Sequence, residues 1–327
     1  MRITIKDIAN RLSMDDSTVS RALNNKGSRI SEVTRELILR TAEEMGYSKN
    51  KAASLLVTGK TNAITLCVPH HRSIYYSHVT YTANDLLRES GYNVNVNELG
   101  FYDDTALKDI KNGWPSDGVL LCDAPEIYRS QIERDSSIYE PMVAMGAYYP
   151  TSIDFVGIDY FYGARKAIDH LVEQGCRRIL LFAIEQPPYT ESRCMAYFSA
   201  VQQHGLTPET LYFPDTSKQV VKARLKDYIT EHGCPDAIFA YSDQLAFPAH
   251  RAVCELGLRM PEDISLIGFD GIEDTEYITP SLSTVKVPVE MMCQTAWDIL
   301  QAKIAGKSSG LQRIIMNPEL IIRESSR

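Results

Sequence analysis

Between Asp15 and Asn24 the chain reads DDSTVSRALN, and its polar groups fall where they can read nucleic acid. Ser17, Thr18, Ser20, Arg21 and Asn24 offer hydroxyl, guanidinium and amide groups outward, while Val19, Ala22 and Leu23 form a packing stripe at helical spacing. Short polar side chains presented from the first turns of a helix match the donor and acceptor patterns of base edges in the major groove. Two acids open the stretch, where a phosphate backbone repels them. Asp15 stands where an N-cap belongs, and a carboxylate there accepts backbone N–H groups and favours the helix dipole. Asp16 can accept from cytosine N4 and is repelled by the acceptors of guanine, so it selects by exclusion as much as by attraction.

These groups need a scaffold, and residues 5–45 read as three short helices. Ile5, Ile8, Ala9 and Leu12 keep helical spacing, and a break of a few residues at Ser13-Met14 gives helix-turn-helix spacing before the next helix. A third helix runs from about Ser31 to Met45, with Ser31 as N-cap and Gly46 past its end. Hydroxyls of Ser31 and Thr34, with the amides of that helix N-terminus, suit phosphate contacts. Residues 1–60 hold 11 Lys/Arg and 7 Asp/Glu, a net of +4, whereas the other 267 hold 23 and 35, a net of −12. A basic head on an acidic body reads as an appended module that meets a polyanion.

From Asn62 the texture becomes alternating strand and helix. AITLCV, GVLLC, MVAMG, FVGID, RILLFAI, AIFAYS and SLIGFDG are short apolar runs of the kind buried on both sheet faces. Amphipathic helices between them close on glycine in RESGY, VEQGC, QQHGL, TEHGC and CELGL. The pattern implies doubly wound parallel sheets in two α/β lobes, with a ligand crevice at the strand carboxyl ends. Enzymatic readings find little support: G-x-S-x-G, Walker A, G-x-G-x-x-G and H-E-x-x-H are all missing. Seven scattered cysteines lack C-x-x-C spacing and read as reduced thiols, so neither metal nor cofactor is expected. A charged N-terminus without an apolar core and the lack of any long apolar run point to the cytoplasm and away from membranes.

Several segments together resemble the LacI/GalR family of bacterial transcriptional regulators. In the head these are TIKDIANRLSMDDSTVSRALN, RISEVTRELILRTAEEMGY and YSKNKAASLL. In the body they are FVGIDYFYGARKAIDHLVEQGCRRI, YSDQLAFPAHRAVCELGLRMPEDISLIGFDG and PSLSTVKVPVEMM. The resemblance implies an all-α helix-turn-helix headpiece joined to an α/β core of two lobes like a periplasmic binding protein. On that pattern residues 1–46 bind DNA, 47–61 form a hinge helix, and 62–327 bind effector and dimerise. Lobe 1 then takes about 62–160 and 290–318, and lobe 2 about 161–289 and 319–327.

The same resemblance carries roles to individual residues. Thr18, Ser20 and Arg21 match the family's T-V-S-R, Asp16 and Ser17 fall where members differ in operator choice, and Asn24 and Arg29 join the DNA-facing set. Leu56, nine residues after Tyr47, matches the leucine that paired hinge helices wedge into the minor groove, with Asn50 and Ala53 on its face. Lys49 stands where proline is common, so the hinge is less stiff or gains a phosphate contact. In the core, Asp270 and Arg193 match effector-binding residues, Ser242 a ligand-touching position, and Tyr75-Tyr76 an aromatic pair after the first strand. Asp243 reads as the cap of the following helix. Tyr160 lies at the lobe crossover, and Tyr148, Tyr149 and Tyr189 sit in loops. Ala196 replaces a usual glycine, and Thr216 stands where a stacking aromatic is common.

The reading is therefore a non-enzymatic repressor that binds double-stranded operator DNA as a homodimer, a tetramer being left open. Its affinity is switched by a small molecule. Tyrosine faces suit the apolar C–H faces and hydroxylated rims of sugars, so a sugar is favoured; a purine or other corepressor is the alternative. A plain solute-binding protein is the remote one, since it has no use for residues 1–60.

Overall fold

The computed structural model describes residues 3–23, 30–47, 60–69, 73–99, 115–135, 141–184, 191–213, 217–307 and 310–326. The chain divides into two compact units, Met1–Thr61 and Asn62–Arg327.

In the first unit, α1 (Ile5–Leu12) opens on a capping box in which Thr4 and Asp7 exchange side-chain and backbone hydrogen bonds. It ends at Ser13, whose left-handed φ of 51° turns the chain sharply into α2 (Asp16–Leu23). α3 (Glu32–Glu44) is capped by Ser31, whose hydroxyl accepts from the Thr34 amide at 3.2 Å. Ile8, Ala9, Val19, Ala22, Ile38 and Ala42 meet in one small core that also packs Met14 and Tyr47. With so few apolar side chains to bury, three short helices are what this segment can stabilise.

The second unit contains two six-stranded sheets. The first has the order β11-β5-β4-β3-β1-β2. Its strands are β1 (Ala63–Val68), β2 (Asn93–Glu98), β3 (Gly118–Cys122), β4 (Met142–Gly146), β5 (Asp154–Ile158) and β11 (Arg313–Met316), all paired in parallel. The second has the order β12-β10-β9-β8-β6-β7. It is built from β6 (Ile179–Ile184), β7 (Glu209–Phe213), β8 (Ala237–Ala240), β9 (Ser265–Asp270), β10 (Ser283–Lys286) and β12 (Glu319–Ile321), the last antiparallel. The strand order reverses at β1/β3 and again at β6/β8, and such switch points open a crevice at the carboxyl ends.

Helices α4 (Ile74–Glu89), α5 (Glu126–Arg134), α6 (Tyr160–Glu173), α7 (Ser192–Gln203), α8 (Lys218–His232), α9 (Asp243–Glu255) and α10 (Val289–Ile304) cover the sheets. α10 returns from the second sheet to pack on α4, β3, β4 and β5. The largest buried cluster runs continuously from Ile64 and Leu66 in one sheet to Phe239 and Phe269 in the other. The glycines read as helix stops, Gly91, Gly175, Gly205, Gly233 and Gly257, all have positive φ. The edge strand β2, NVNVNE, was not among the expected strands: its side chains are half or fully exposed, and the β1 ladder holds it.

Candidate functional site

Two surfaces carry the chemistry, and each stands on its own unit. On α2 the backbone turns at Asp15, whose carboxylate accepts from the Ser17 amide at 2.8 Å while its carbonyl receives Thr18 and Val19. The Ser17 hydroxyl and amide hold that carboxyl below the usual aspartate range. Asp16, Ser17 and Arg21 are exposed, Thr18 and Ser20 half-buried, and Val19 and Ala22 buried. One helix thus presents its polar face outward while its apolar stripe is anchored. Ser31 and Thr34 bond each other through their hydroxyls at 2.7 Å. Tyr47 packs against the headpiece core, its amide donating to Ala42 at 2.8 Å. Asn24, Arg29, Lys49, Asn50, Ala53 and Leu56 lie outside the described residues, as do Tyr189 and Thr216.

The second surface gathers at the carboxyl ends of both sheets. β9 ends on Asp270, whose φ of 120° is a conformation that non-glycine residues rarely hold. The turn after it is fixed from below by Asp243, which is fully buried. One carboxylate oxygen of Asp243 accepts from the Gly271 and Ile272 amides at 2.8 and 3.0 Å, the other from the Thr284 hydroxyl at 2.7 Å. This departs from the sequence reading, which gave Asp243 the cap of α9. Ser242 holds that place, accepting from the Leu245 amide at 3.3 Å, because its shorter side chain reaches back while Asp243 turns inward. Burial raises the carboxyls of Asp243 and Asp270, and for Asp270 the neighbouring Asp243 charge adds to the rise.

Arg193 lies at the start of α7, 5% exposed. Its Nε donates to Glu191 at 2.8 Å and its Nη1 to the Tyr241 carbonyl at 2.8 Å. The guanidinium sits 3.8 Å from the Tyr241 ring centre, 4.8 Å from Tyr160 and 5.2 Å from Phe269. Glu191 also caps α7 through the Cys194 amide and accepts from the Tyr148 hydroxyl at 2.8 Å. Burial alone would raise the Glu191 carboxyl, but Arg193 and these donors bring it below its usual range. Tyr148 follows β4 of the first sheet and Glu191 precedes α7 of the second, so this bond ties the lobes across the crevice.

Asp123 supplies the first sheet's half of the site, and sequence reasoning missed it. It follows β3 with φ 43°, is 3% exposed, and takes the Ala147 and Tyr148 amides on one oxygen at 2.6 and 3.1 Å. The other oxygen accepts from the Tyr76 hydroxyl at 3.2 Å. Burial raises its carboxyl against the pull of these donors and of Arg193. An acid directly after the buried strand GVLLC, as Asp270 follows SLIGF, was the available signal. The structure therefore brings Tyr75, Tyr76, Tyr160, Arg193 and Asp270 together around Asp123, with Ser242 at the neighbouring end of β8.

An exposed polar helix face on a three-helix headpiece and a polar crevice at the switch points of two mostly parallel sheets are the features of a ligand-responsive DNA-binding protein as a class. A family profile described as bacterial regulatory proteins, lacI family, matches residues 4–50, and one described as a periplasmic binding protein-like domain matches 168–326. The probable HTH-type transcriptional repressor ExuR of Bacillus subtilis (strain 168) is 30% identical, the alignment spanning 99% of this chain and 98% of that one. The ribose operon repressor of Halalkalibacterium halodurans is 28% identical over 99% and 97%. A crystal structure of the lac repressor dimer bound to operator and the anti-inducer ONPF superposes with a TM-score of 0.84 at 22% identity, covering 99% of both chains. The chain belongs to the LacI family of bacterial transcriptional regulators.

Proposed function

We propose that this regulator is a repressor that binds a palindromic operator as a homodimer and changes its DNA affinity when a sugar or sugar derivative occupies the strand-end crevice. On DNA, Asp16, Ser17, Thr18, Ser20 and Arg21 face base edges and adjacent phosphates, with Asn24 and Arg29 beside them. Ser31, Thr34 and Tyr47 hold the backbone, and Asn50, Ala53 and Leu56 enter the minor groove. In the crevice, Asp270, Arg193, Tyr75, Tyr76, Tyr160 and Ser242 contact the effector.

The observation that carries this reading is the Tyr148–Glu191–Arg193 chain across the crevice. A ligand that engages these groups differently in two lobe arrangements shifts the balance between them, and with it the spacing of two DNA-reading heads. The relatives that repress the ribose operon or bind operator as a dimer support the same reading. A sugar is preferred to a purine because several separate polar groups, Asp270, Arg193, Ser242 and the tyrosine hydroxyls, converge at the crevice and suit a hydroxylated rim.

Selection of DNA from a random pool by the full-length protein tests the reading. The expected product is a palindromic site, bound by the wild type and lost in Arg21→Ala. Asp16→Asn is expected to raise general DNA affinity and relax base preference at one position per half-site. Failure to enrich any palindrome would remove the regulator mechanism proposed here.

A further inference from the structure

The chain passes between the two sheets after β5, after β10 and after β11, and lobes joined by such connections can open and close about them. Tyr148 and Glu191 stand on none of these connections, yet the Tyr148 hydroxyl donates to Glu191 at 2.8 Å across the crevice. Each partner is held by its own lobe. The Tyr148 amide donates to Asp123 at 3.1 Å and its carbonyl accepts the Ala124 amide at 2.8 Å. Its ring meets Tyr160 edge-on, 6.4 Å between centres. Opposite, Glu191 accepts the Arg193 Nε at 2.8 Å and the Cys194 amide at 2.9 Å, and Arg193 is fixed in turn on the Tyr241 carbonyl. Neither side chain is free to follow the other when the lobes part. A hydrogen bond fails beyond about 3.5 Å, so a separation of about 1 Å at this point breaks it. The contact belongs to one lobe arrangement and is lost in the other.

The chemistry of the two groups makes the bond a strong one. Burial raises the Glu191 carboxyl, but Arg193 and the donors around it bring it below its usual range, so it accepts as an anion. Burial, with the Glu191 charge beside it, pushes the Tyr148 hydroxyl well above the usual phenol range, so it stays a donor. A phenol donating to a carboxylate that is 2% exposed forms a charge-assisted bond in surroundings that strengthen it.

Resting on the reading of this crevice as the effector site, we propose that Tyr148 and Glu191 form a latch: protein groups alone stabilise the closed arrangement of the lobes, and the effector acts on a balance that this bond sets. Glu191 is a positioning residue in the same device, because the oxygen that holds Tyr148 also holds Arg193. Loss of the latch raises the ratio of open to closed protein about tenfold or more, the worth of a hydrogen bond to a charged group. An effector that needs the closed arrangement then loses apparent affinity in proportion to the closed fraction lost.

The test is single-molecule fluorescence transfer in the full-length protein without added ligand. Dyes are placed at exposed positions of the two lobes, Arg134 at the end of α5 and Gln219 in α8. They are attached through non-natural amino acids because the chain has seven cysteines, and labelled protein is diluted into excess unlabelled protein so that each dye pair reports one chain. Tyr148→Phe keeps the ring and removes only the hydroxyl. It is expected to fold as the wild type does and to raise the open-to-closed ratio about tenfold. Glu191→Gln removes the charge and should raise the ratio less, and Tyr148→Phe should have a smaller effect in that background than in the wild type. If Tyr148→Phe leaves the transfer distribution unchanged, or shifts it equally with and without Glu191→Gln, the proposal is overturned. Affinity for a palindromic site selected by the wild type is measured on the same variants. A shifted balance with unaltered operator affinity supports the latch and counts against the regulator reading, whereas an unaltered balance removes the latch whatever the operator affinity.

Discussion

The two sheets end in the same device, built from different residues. In the first, Asp123 after β3 reaches across to the turn after β4 and takes the Ala147 and Tyr148 amides. In the second, Asp243 after β8 reaches across to the turn after β9 and takes the Gly271 and Ile272 amides. Each turn starts from a residue with positive φ, and there the lobes part. The first uses Gly146 at 102°, which has no side chain to strain and leaves the space that the Asp123 carboxylate fills. The second places Asp270 at 120° in the equivalent position. A carboxylate kept where glycine would be relaxed indicates a group retained for what it binds, since such backbone strain persists only where the surroundings hold it. The comparison also separates the two buried acids: Asp123 and Asp243 build the turns, while Asp270 is presented by one.

Four substitutions break or sharpen this comparison. The largest effect belongs to Gly146→Ala: its Cβ would stand 2.4 Å from an Asp123 oxygen at a φ alien to alanine. A loss of about 3 kcal/mol in denaturant unfolding is expected from the clash and the strain together. A loss below about 1 kcal/mol would mean that the first turn adapts freely. Next comes Asp243→Ala, which strips the Gly271 and Ile272 amides and the Thr284 hydroxyl of their shared acceptor. A cost of about 2–3 kcal/mol is expected in the same measurement, since buried donors left unpaired carry most of the penalty.

Asp243→Asn probes the same position through pH. Burial pushes the Asp243 carboxyl up to about 7 in the folded protein, above its unfolded value. A raised carboxyl binds its proton more tightly when folded, so its contribution is full below the unfolded pKa of about 4 and is lost as pH rises toward 7. Wild-type stability relative to Asp243→Asn should therefore fall across that window. A difference that stays flat, or grows with pH, would show that Asp243 is ionised throughout.

How much of this was legible beforehand divides along the range of the interactions. The short helices around Ile8, Val19 and Ile38 and the buried strands such as AITLCV declare themselves by periodicity, because each buries a face within a few residues of chain. Asp15 as a cap was legible for the same reason. The crevice was half legible: Asp270 and Arg193 stood out by family resemblance, whereas Asp123 acts through amides 24 and 25 residues onward, a pairing that sheet topology creates. Asp243 looked like a helix cap because its neighbour Ser242 is one, and only the packed turn at Gly271 shows why the aspartate turns inward. Glu191 sits two residues before Arg193, yet nothing local reveals that Tyr148 of the other lobe completes the pair.

The smallest effect is also the most direct test. Asp270→Gly removes a side chain held at φ 120° and relieves its repulsion with Asp243, while glycine adds freedom to the unfolded chain. The balance favours the variant by about 1 kcal/mol, or roughly 2–4 °C in Tm for a unit of this size. If Asp270 is kept for binding at the expense of stability, Asp270→Gly melts higher than the wild type in the absence of ligand. A lower Tm would contradict that account and make Asp270 part of the scaffold it stands on.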